Sequence, residues 1–536
     1  MSVNQKDTFT VGVSRSRSHQ ESSDDTDDAK VVNLKYADVT LELFEQHEKE
    51  AGELTPELEK RIKRKLWFII IPIVSFVNFM LFFDKNATGY ASLLGMFEDL
   101  NLDQAKYNDL QTIFYAGYIL FQVPSHLLFQ RIKLSHYISG VTFVWTITTL
   151  TTLAAKNFTH LAIIRFILGC FESGVTPCLE HTMAMWFTPA EQAIINPIFW
   201  ISCIAQGIPG GLLAYGVQFV PGDISPWKVY WTILGGLSFV LSISSFFFFP
   251  DNPATYRYFT VQERIHVIKR IKAATKSSIE QKTVKKDQVI EAVKDPITWL
   301  FGVFVLLSML CNNISFQSAI IYKNLGISNL DSTLVSVASA GWTTFMSIAG
   351  SIALSIFRSQ SAHFGTVCAS IALLGGIITV SLPLHLSKGI LAGIFLTNAN
   401  ANTFIASFSW CQSSAAGYSK KLVRTVVWSV FYGVSNLIAP QIWRAKDKPR
   451  YHLAWTICIV LSWFVAPLIL QIIRFVLSRR NKQRRQFLQD IEDGKIEDEH
   501  GFVTSYDSDG NEVKTEVDIS MLDLTDLQNK RFIYPL

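Results

Sequence analysis

Paired cysteines are missing from this sequence. The seven it has (Cys170, Cys178, Cys203, Cys311, Cys368, Cys411 and Cys458) each fall inside an apolar run. None has the spacing of a metal site or a secreted disulfide framework, which leaves them as reduced packing residues. No nucleophile, metal-ligand or phosphate-loop constellation is present either, so there is no case for an enzyme and none for a metal or cofactor. No cleavable signal peptide is expected either. The chain opens with a polar tail of roughly sixty residues, and the first apolar run is expected to act as an uncleaved targeting signal.

What the sequence has in abundance is apolar length. It is 49% hydrophobic and 13% aromatic, and much of that lies in twelve long runs. The first six cover about 66–85, 109–130, 136–155, 161–181, 193–219 and 227–249, and the second six about 296–321, 332–357, 362–383, 389–410, 422–442 and 453–477. A hydrocarbon core about 30 Å thick needs about 20 apolar residues in a helix, so each run is long enough to cross. The expectation is an all-α polytopic membrane protein of two six-helix halves, 66–249 and 296–477. A central loop at 250–295 joins them, and tails at 1–60 and 478–536 flank them.

The net charge of +4 says less than its placement. Lys60, Arg61, Lys63, Arg64 and Lys65 precede the first run, and Arg131 and Lys133 follow the second. Basic residues fill the central loop, recur at Lys420, Lys421 and Arg424, and again from Arg479 to Arg485. The positive-inside rule makes these segments and both termini cytosolic. Glu98, Asp99, Asp103 and Asp109 fall on the outer side. Arg444, Lys446, Lys448 and Arg450 do so too, against the rule. Residues 1 to about 50 are too polar to fold alone and read as a disordered tail, open to trafficking or ubiquitination machinery. Thr55-Pro56-Glu57 starts a basic helix leading into the first run, and Val261–Thr275 reads as a partly amphipathic helix suited to the inner membrane surface. The end of the chain, Phe532 to Leu536, is a short apolar patch that either binds a partner or docks on the cytosolic face. Lipid and a small solute are the expected partners, and nucleic acid is not.

Ionised residues in a membrane helix cost about 2.5–3.5 kcal/mol each on insertion scales, so they call for a partner or a watery cavity. Arg165 and Glu172 are seven residues apart in the fourth run, within about 20° of one face, and can share a cavity. Polar side chains recur in every third run: Asn78 and Asp84, then Arg165 and Glu172, then Asn312, Asn313 and Gln317, then Asn398, Asn400 and Asn402. That period fits a repeat of three helices whose first member lines a central pathway. In the fifth run, Gly207 and Gly211 form a G-x-x-x-G pair that permits close helix packing.

Four stretches resemble the fungal allantoate permease family, in the anion:cation symporter group of the major facilitator superfamily. They are Asp84-Lys85-Asn86, RFILGCFESGVTP from Arg165, FPDNPATYRYFTVQER from Phe249, and APQIWRAKDKPRY from Ala439. Further stretches, among them SSIEQKTVKKDQ from Ser277, SAAGYSKKL from Ser414 and the ending DLTDLQNKRFIYPL, resemble the cysteine-carrying branch of that family. The loop after the second run, Arg131-Ile132-Lys133-Leu134-Ser135, departs from the wider superfamily by lacking its glycine-acid-arginine signature. The resemblance implies proton-driven uptake by alternating access at the plasma membrane, with the endoplasmic reticulum as a transit site. L-Cysteine is the implied cargo. Allantoate, nicotinate, pantothenate or a sulfonate is the alternative, and a transporter-like nutrient sensor is the alternative of another class. On this reading Arg165 attracts the substrate carboxylate, while Asn312, Asn313 and Gln317 supply neutral hydrogen bonds from the opposite half. Asn78 and Asn402 add to the binding set, and Glu172 with Asp84 carries the proton.

Overall fold

The computed structural model describes residues 8–15, 30–33, 54–129, 131–275, 285–357, 360–495, 499–506, 512–517 and 524–536. Among the described residues, eleven helices are long and apolar enough to cross a membrane. Six precede the central loop: Pro56–Leu93, Gln104–Phe129, Leu134–Ala154, Phe158–Trp186, Ile194–Phe219 and Pro226–Phe248. Five follow it: Pro296–Ser318, Asn329–Ile356, Ser361–Ser381, Tyr418–Ile442 and His452–Glu492. The tenth expected run is also helical, but in two pieces, Ser387–Thr397 and Asn400–Ser413. Helical segments therefore stand at all twelve expected positions, and spans are numbered accordingly below.

The break in span ten has a local cause. Asn398, Asn400 and Asn402 alternate with alanine, and asparagine side chains compete with the helix for hydrogen bonds. The Asn398 side chain donates to Ser339 of span eight at 2.9 Å, while backbone bonds around it tighten to i→i+3 (Ala399 to Leu396, Ala401 to Asn398). Spans four and seven are interrupted too. Span four breaks at Ser173–Gly174, between Phe158–Glu172 and Val175–Trp186, and span seven tightens into a 3-10 turn over Met309–Asn313. Discontinuous helices of this kind free backbone groups and polar side chains at membrane depth, which is tolerated where they are buried in protein or line a cavity.

Span one starts at the expected place. Thr55 caps the helix by accepting from the Leu58 amide at 3.3 Å, with Pro56 in the first turn. Span twelve runs on to Glu492, about fifteen residues past the expected limit, its last turns carried by the basic residues from Arg479.

The central loop contains two helices, Val261–Thr275 and Lys286–Lys294. The first buries Ile265, Val267, Ile268 and Ile271. It is fastened to the N-terminal half by Glu263, which pairs with Lys65 at 2.6 Å and Arg61 at 3.1 Å, and by Arg270, which pairs with Glu191 at 2.8 Å. Its apolar face is thus committed to protein rather than to the membrane surface. Outside the membrane region, strands of the two tails pair antiparallel in the order Lys30–Asn33, Thr8–Arg15, Glu499–Tyr506, Glu512–Val517. The expectation of a disordered first tail otherwise falls outside the described residues.

The two halves meet most intimately at the end of the bundle where spans one and two are joined, the far end from the tails. Among the described residues, seven hydrogen bonds cross between the halves there. Gln317 links Gln104 at 2.7 Å and Asn108 at 2.8 Å, and Asn108 donates to the Trp443 carbonyl at 2.9 Å. The G-x-x-x-G pair serves the same junction: a Cβ on Gly207 would stand 2.7 Å from the Ala340 Cβ, and one on Gly211 would stand 2.6 Å from a Val337 methyl. Span five packs on span eight only because both positions lack a side chain. At this same end Arg444 pairs with Asp447 at 2.8 Å, and Arg450 donates to the Leu382 carbonyl at 3.2 Å, where span nine ends. The basic segment that broke the charge rule is used partly to cap a helix.

Candidate functional site

A cavity of about 310 Å³ lies between the halves, within the size range of small-molecule sites. The hydrogen-bonded junction closes it on one side. On the tail side Trp200 of span five meets Phe404 and Phe408 of span ten, at ring distances of 5.2 and 5.6 Å. Spans one, five, seven, eight and ten supply most of the wall. Polar groups reach it from both halves: Lys85, Asn86 and Gln206 from the first, and Asn312, Asn398 and Asn400 from the second.

Among the described residues, Lys85 is the one basic side chain in the wall, and no carboxylate joins it there. The residue is only 6% exposed, with Glu172 of span four 3.6 Å behind it. Three aromatic faces surround its ammonium: Phe82 at 5.0 Å, Tyr118 at 5.4 Å and Phe114 at 5.8 Å. Rings hold a cation through their quadrupoles without neutralising it. Glu172 is fully buried, and neither of its oxygens has a hydrogen-bond partner among the described residues. The contact with Lys85 is the main compensation for its charge.

The other expected residues sort themselves by distance from the cavity. Arg165 is outside the wall. It donates to Thr88, stacks over Trp231 at 5.2 Å and is buried within the N-terminal half. Its neighbour Asp84 accepts from Thr149 at 3.1 Å, and its second oxygen has no hydrogen-bond partner among the described residues. Asn78 joins span one to span five through the Phe199 carbonyl at 2.8 Å, and Asn402 joins span ten to span eight through the Met346 carbonyl at 3.1 Å. Both are interhelical contacts rather than wall residues. Gln317 belongs to the junction above the cavity, and Asn313 is buried beside it. Asn312 alone of the expected binding set lines the cavity, where it donates to Asn436 at 2.7 Å.

The period of three therefore holds for spans one, seven and ten, while span four stands behind span one as a support. The residue passed over was Lys85. Neighbours on a helix point about 100° apart, so of Asp84 and Lys85 only one can face the pathway. The adjacency was the available signal; which of the two faces inward depended on how span one is rotated in the bundle.

Two halves with interrupted helices enclose a mainly apolar cavity with a few convergent polar groups and buried charge beside it, the architecture of a multi-pass membrane transporter. The chain belongs to the Major Facilitator Superfamily, whose profile matches residues 74–440. The high affinity cysteine transporter of Saccharomyces cerevisiae is 41% identical over 520 residues, which cover 95% of this chain and 97% of that one. An uncharacterized transporter of Schizosaccharomyces pombe is also 41% identical, over 510 residues covering 95% of this chain and 89% of that one. The allantoate permease of Saccharomyces cerevisiae is 28% identical over 90% of this chain and 88% of its own length. A solved proton:xylose symporter superposes with a TM-score of 0.56 at 13% identity, covering 76% of this chain and 94% of that chain, a likeness of fold alone.

Proposed function

We propose that this transporter carries a small carboxylate-bearing nutrient, L-cysteine foremost, across the plasma membrane together with a proton, with both tails on the cytosolic side. The observation that carries the reading is the Lys85–Glu172 pair, one partner in the cavity wall and the other sealed behind it at 3.6 Å. A substrate carboxylate entering the cavity competes with Glu172 for Lys85. As the ammonium turns to the substrate, Glu172 is left as an uncompensated buried carboxylate, a state costly enough that it takes up a proton instead. Carboxylate binding and proton binding are thereby tied together: a zwitterionic amino acid and its proton enter with one net positive charge, an organic monoanion and its proton with none. Amide groups of Asn312, Asn398 and Asn400 face the other end of the solute with neutral hydrogen bonds. Alternating access follows when the junction of Gln104, Asn108 and Gln317 opens and the tail side closes.

The similarity to a cysteine transporter over nearly the whole chain supports cysteine as the cargo, and the allantoate permease keeps organic anions as the competing class. Uptake of labelled L-cysteine in cells lacking their own carrier tests the proposal, with allantoate, nicotinate, pantothenate and a sulfonate as competitors and with a proton uncoupler. Uptake that the uncoupler leaves untouched would end the proton coupling. No uptake of any of these solutes would leave the sensor reading.

A further inference from the structure

The C-terminal segment 524–536 is built into the tail side of the C-terminal half. Thr525, Asp526 and Tyr534 are 0%, 0% and 2% exposed. The segment folds on itself first: the Thr525 amide donates to the Gln528 side chain at 3.0 Å, and the Gln528 amide to the Thr525 hydroxyl at 3.1 Å. The Tyr534 hydroxyl then donates to Asp526 at 2.8 Å, closing the loop.

Every part of this loop is tied to a different helix. Asp526 pairs with Lys420 of span eleven at 2.9 Å, and Lys420, fully buried, also holds Glu291 at 2.8 Å and Asp295 at 3.3 Å. The Thr525 hydroxyl donates to Glu291 of the linker helix at 2.8 Å. Asn481 of span twelve binds both the amide and the carbonyl of Tyr534 at 2.9 Å, while Arg484 lies over its ring at 4.3 Å. Trp410 of span ten donates to the Pro535 carbonyl at 2.8 Å, and the Ser361 amide of span nine to Leu536 at 3.0 Å. Asp295, at the start of span seven, completes the joint through Arg424 at 3.1 Å and Arg480 at 2.9 Å. A segment that touches the tail ends of spans nine to twelve and the linker, and none of the cavity wall, neither plugs the pathway nor leaves the half free to flex.

We propose that residues 524–536 are a clamp that holds the C-terminal half as one body, and that transport requires the docked clamp because halves that rock as rigid bodies lose coupling when one of them loosens. Lys420 is the keystone. With the segment gone it keeps only two of its three carboxylate partners, and Arg484 loses its contacts with Tyr534. The proposal goes beyond the identity of the cargo.

To test it, a protease site is inserted at 518–523 of the full chain, which then folds and is reconstituted intact before the segment is severed and washed out. Uptake of labelled L-cysteine is expected to fall at least about tenfold, the order expected for opening a buried charge network, and the melting midpoint to fall by several degrees. Both return on adding the synthetic 524–536 peptide, and neither returns with a peptide carrying Asp526→Lys. In the uncut chain Asp526→Lys gives the same two losses and Asp526→Glu restores both. An unchanged midpoint after wash-out overturns the clamp, as does a fallen midpoint with undiminished uptake. If the intact protein carries no cysteine, the cargo reading fails while the midpoint still decides the clamp.

Discussion

The two halves share a helical plan yet place their charge differently. The N-terminal half buries Asp84, Lys85, Arg165 and Glu172 at membrane depth in spans one and four. The C-terminal half puts neutral amides there, Asn312, Asn398, Asn400 and Asn436, and gathers its buried charges, Asp295, Lys420, Arg424 and Asp526, at the tail end. On the mechanism proposed above, the first half changes its protonation as it binds, while the second holds the solute without answering to pH and its charges fasten helix ends. Desolvated charge is expensive wherever it sits, so its location is a fair guide to where it is used.

The sharpest way to break this division is Glu172→Gln. It removes the titrating partner while keeping the shape, so uptake against a gradient should vanish while counterflow exchange of labelled for unlabelled cysteine survives. Retained accumulation would move proton coupling out of the N-terminal half. Next in size is Lys85→Gln, which takes away the anion's partner and strands Glu172. A hydrogen bond to a charged group is worth about 1.5–3 kcal/mol, so the apparent affinity in an uptake assay should weaken by roughly tenfold to a hundredfold.

On the other half, Asp295→Asn should leave affinity unchanged but lower stability by about 3 kcal/mol, read as a drop in melting midpoint. Burial raises the Asp295 carboxyl, but Lys420, Arg480 and Arg424 outweigh it and hold the group below the ordinary carboxylate value. A carboxyl whose folded value is depressed contributes its full stability above the unfolded value, near pH 4, and loses it as pH falls through the folded one. The midpoint should therefore show no Asp295 contribution to its slope between about pH 5 and 7, and should fall below about pH 4 in the parent but less in the variant. The smallest effect belongs to Asn312→Ala. A neutral hydrogen bond is worth about 1 kcal/mol, so affinity should weaken by roughly fivefold with the pH profile of uptake unmoved. A shifted profile would show that the amide half shares in the titration.

Much of the fold was legible because apolar length at membrane scale is nearly a one-dimensional property. The helix at Val261–Thr275 and the start at Thr55 fell where periodicity and capping put them. The site was legible only in part. Asn78, Asn402 and Gln317 carry the same amide chemistry as Asn312, yet three of them join helices and one faces the cavity. Nothing in residue type separates those uses, because each depends on which neighbour happens to stand opposite.

The sequence by itself determined that the chain crosses a membrane many times in two sets, and that charge in spans one and four had to be compensated. It also determined that Gly207 and Gly211 allowed a close approach. Tertiary structure alone decided that Lys85 rather than Arg165 meets the cavity, that Glu172 stands behind it, and that residues 524–536 bind four spans and the linker. A charge in an apolar run lies at membrane depth whichever way its helix is turned, so the sequence shows that compensation is needed, while only packing decides whether the side chain meets a cavity or a partner.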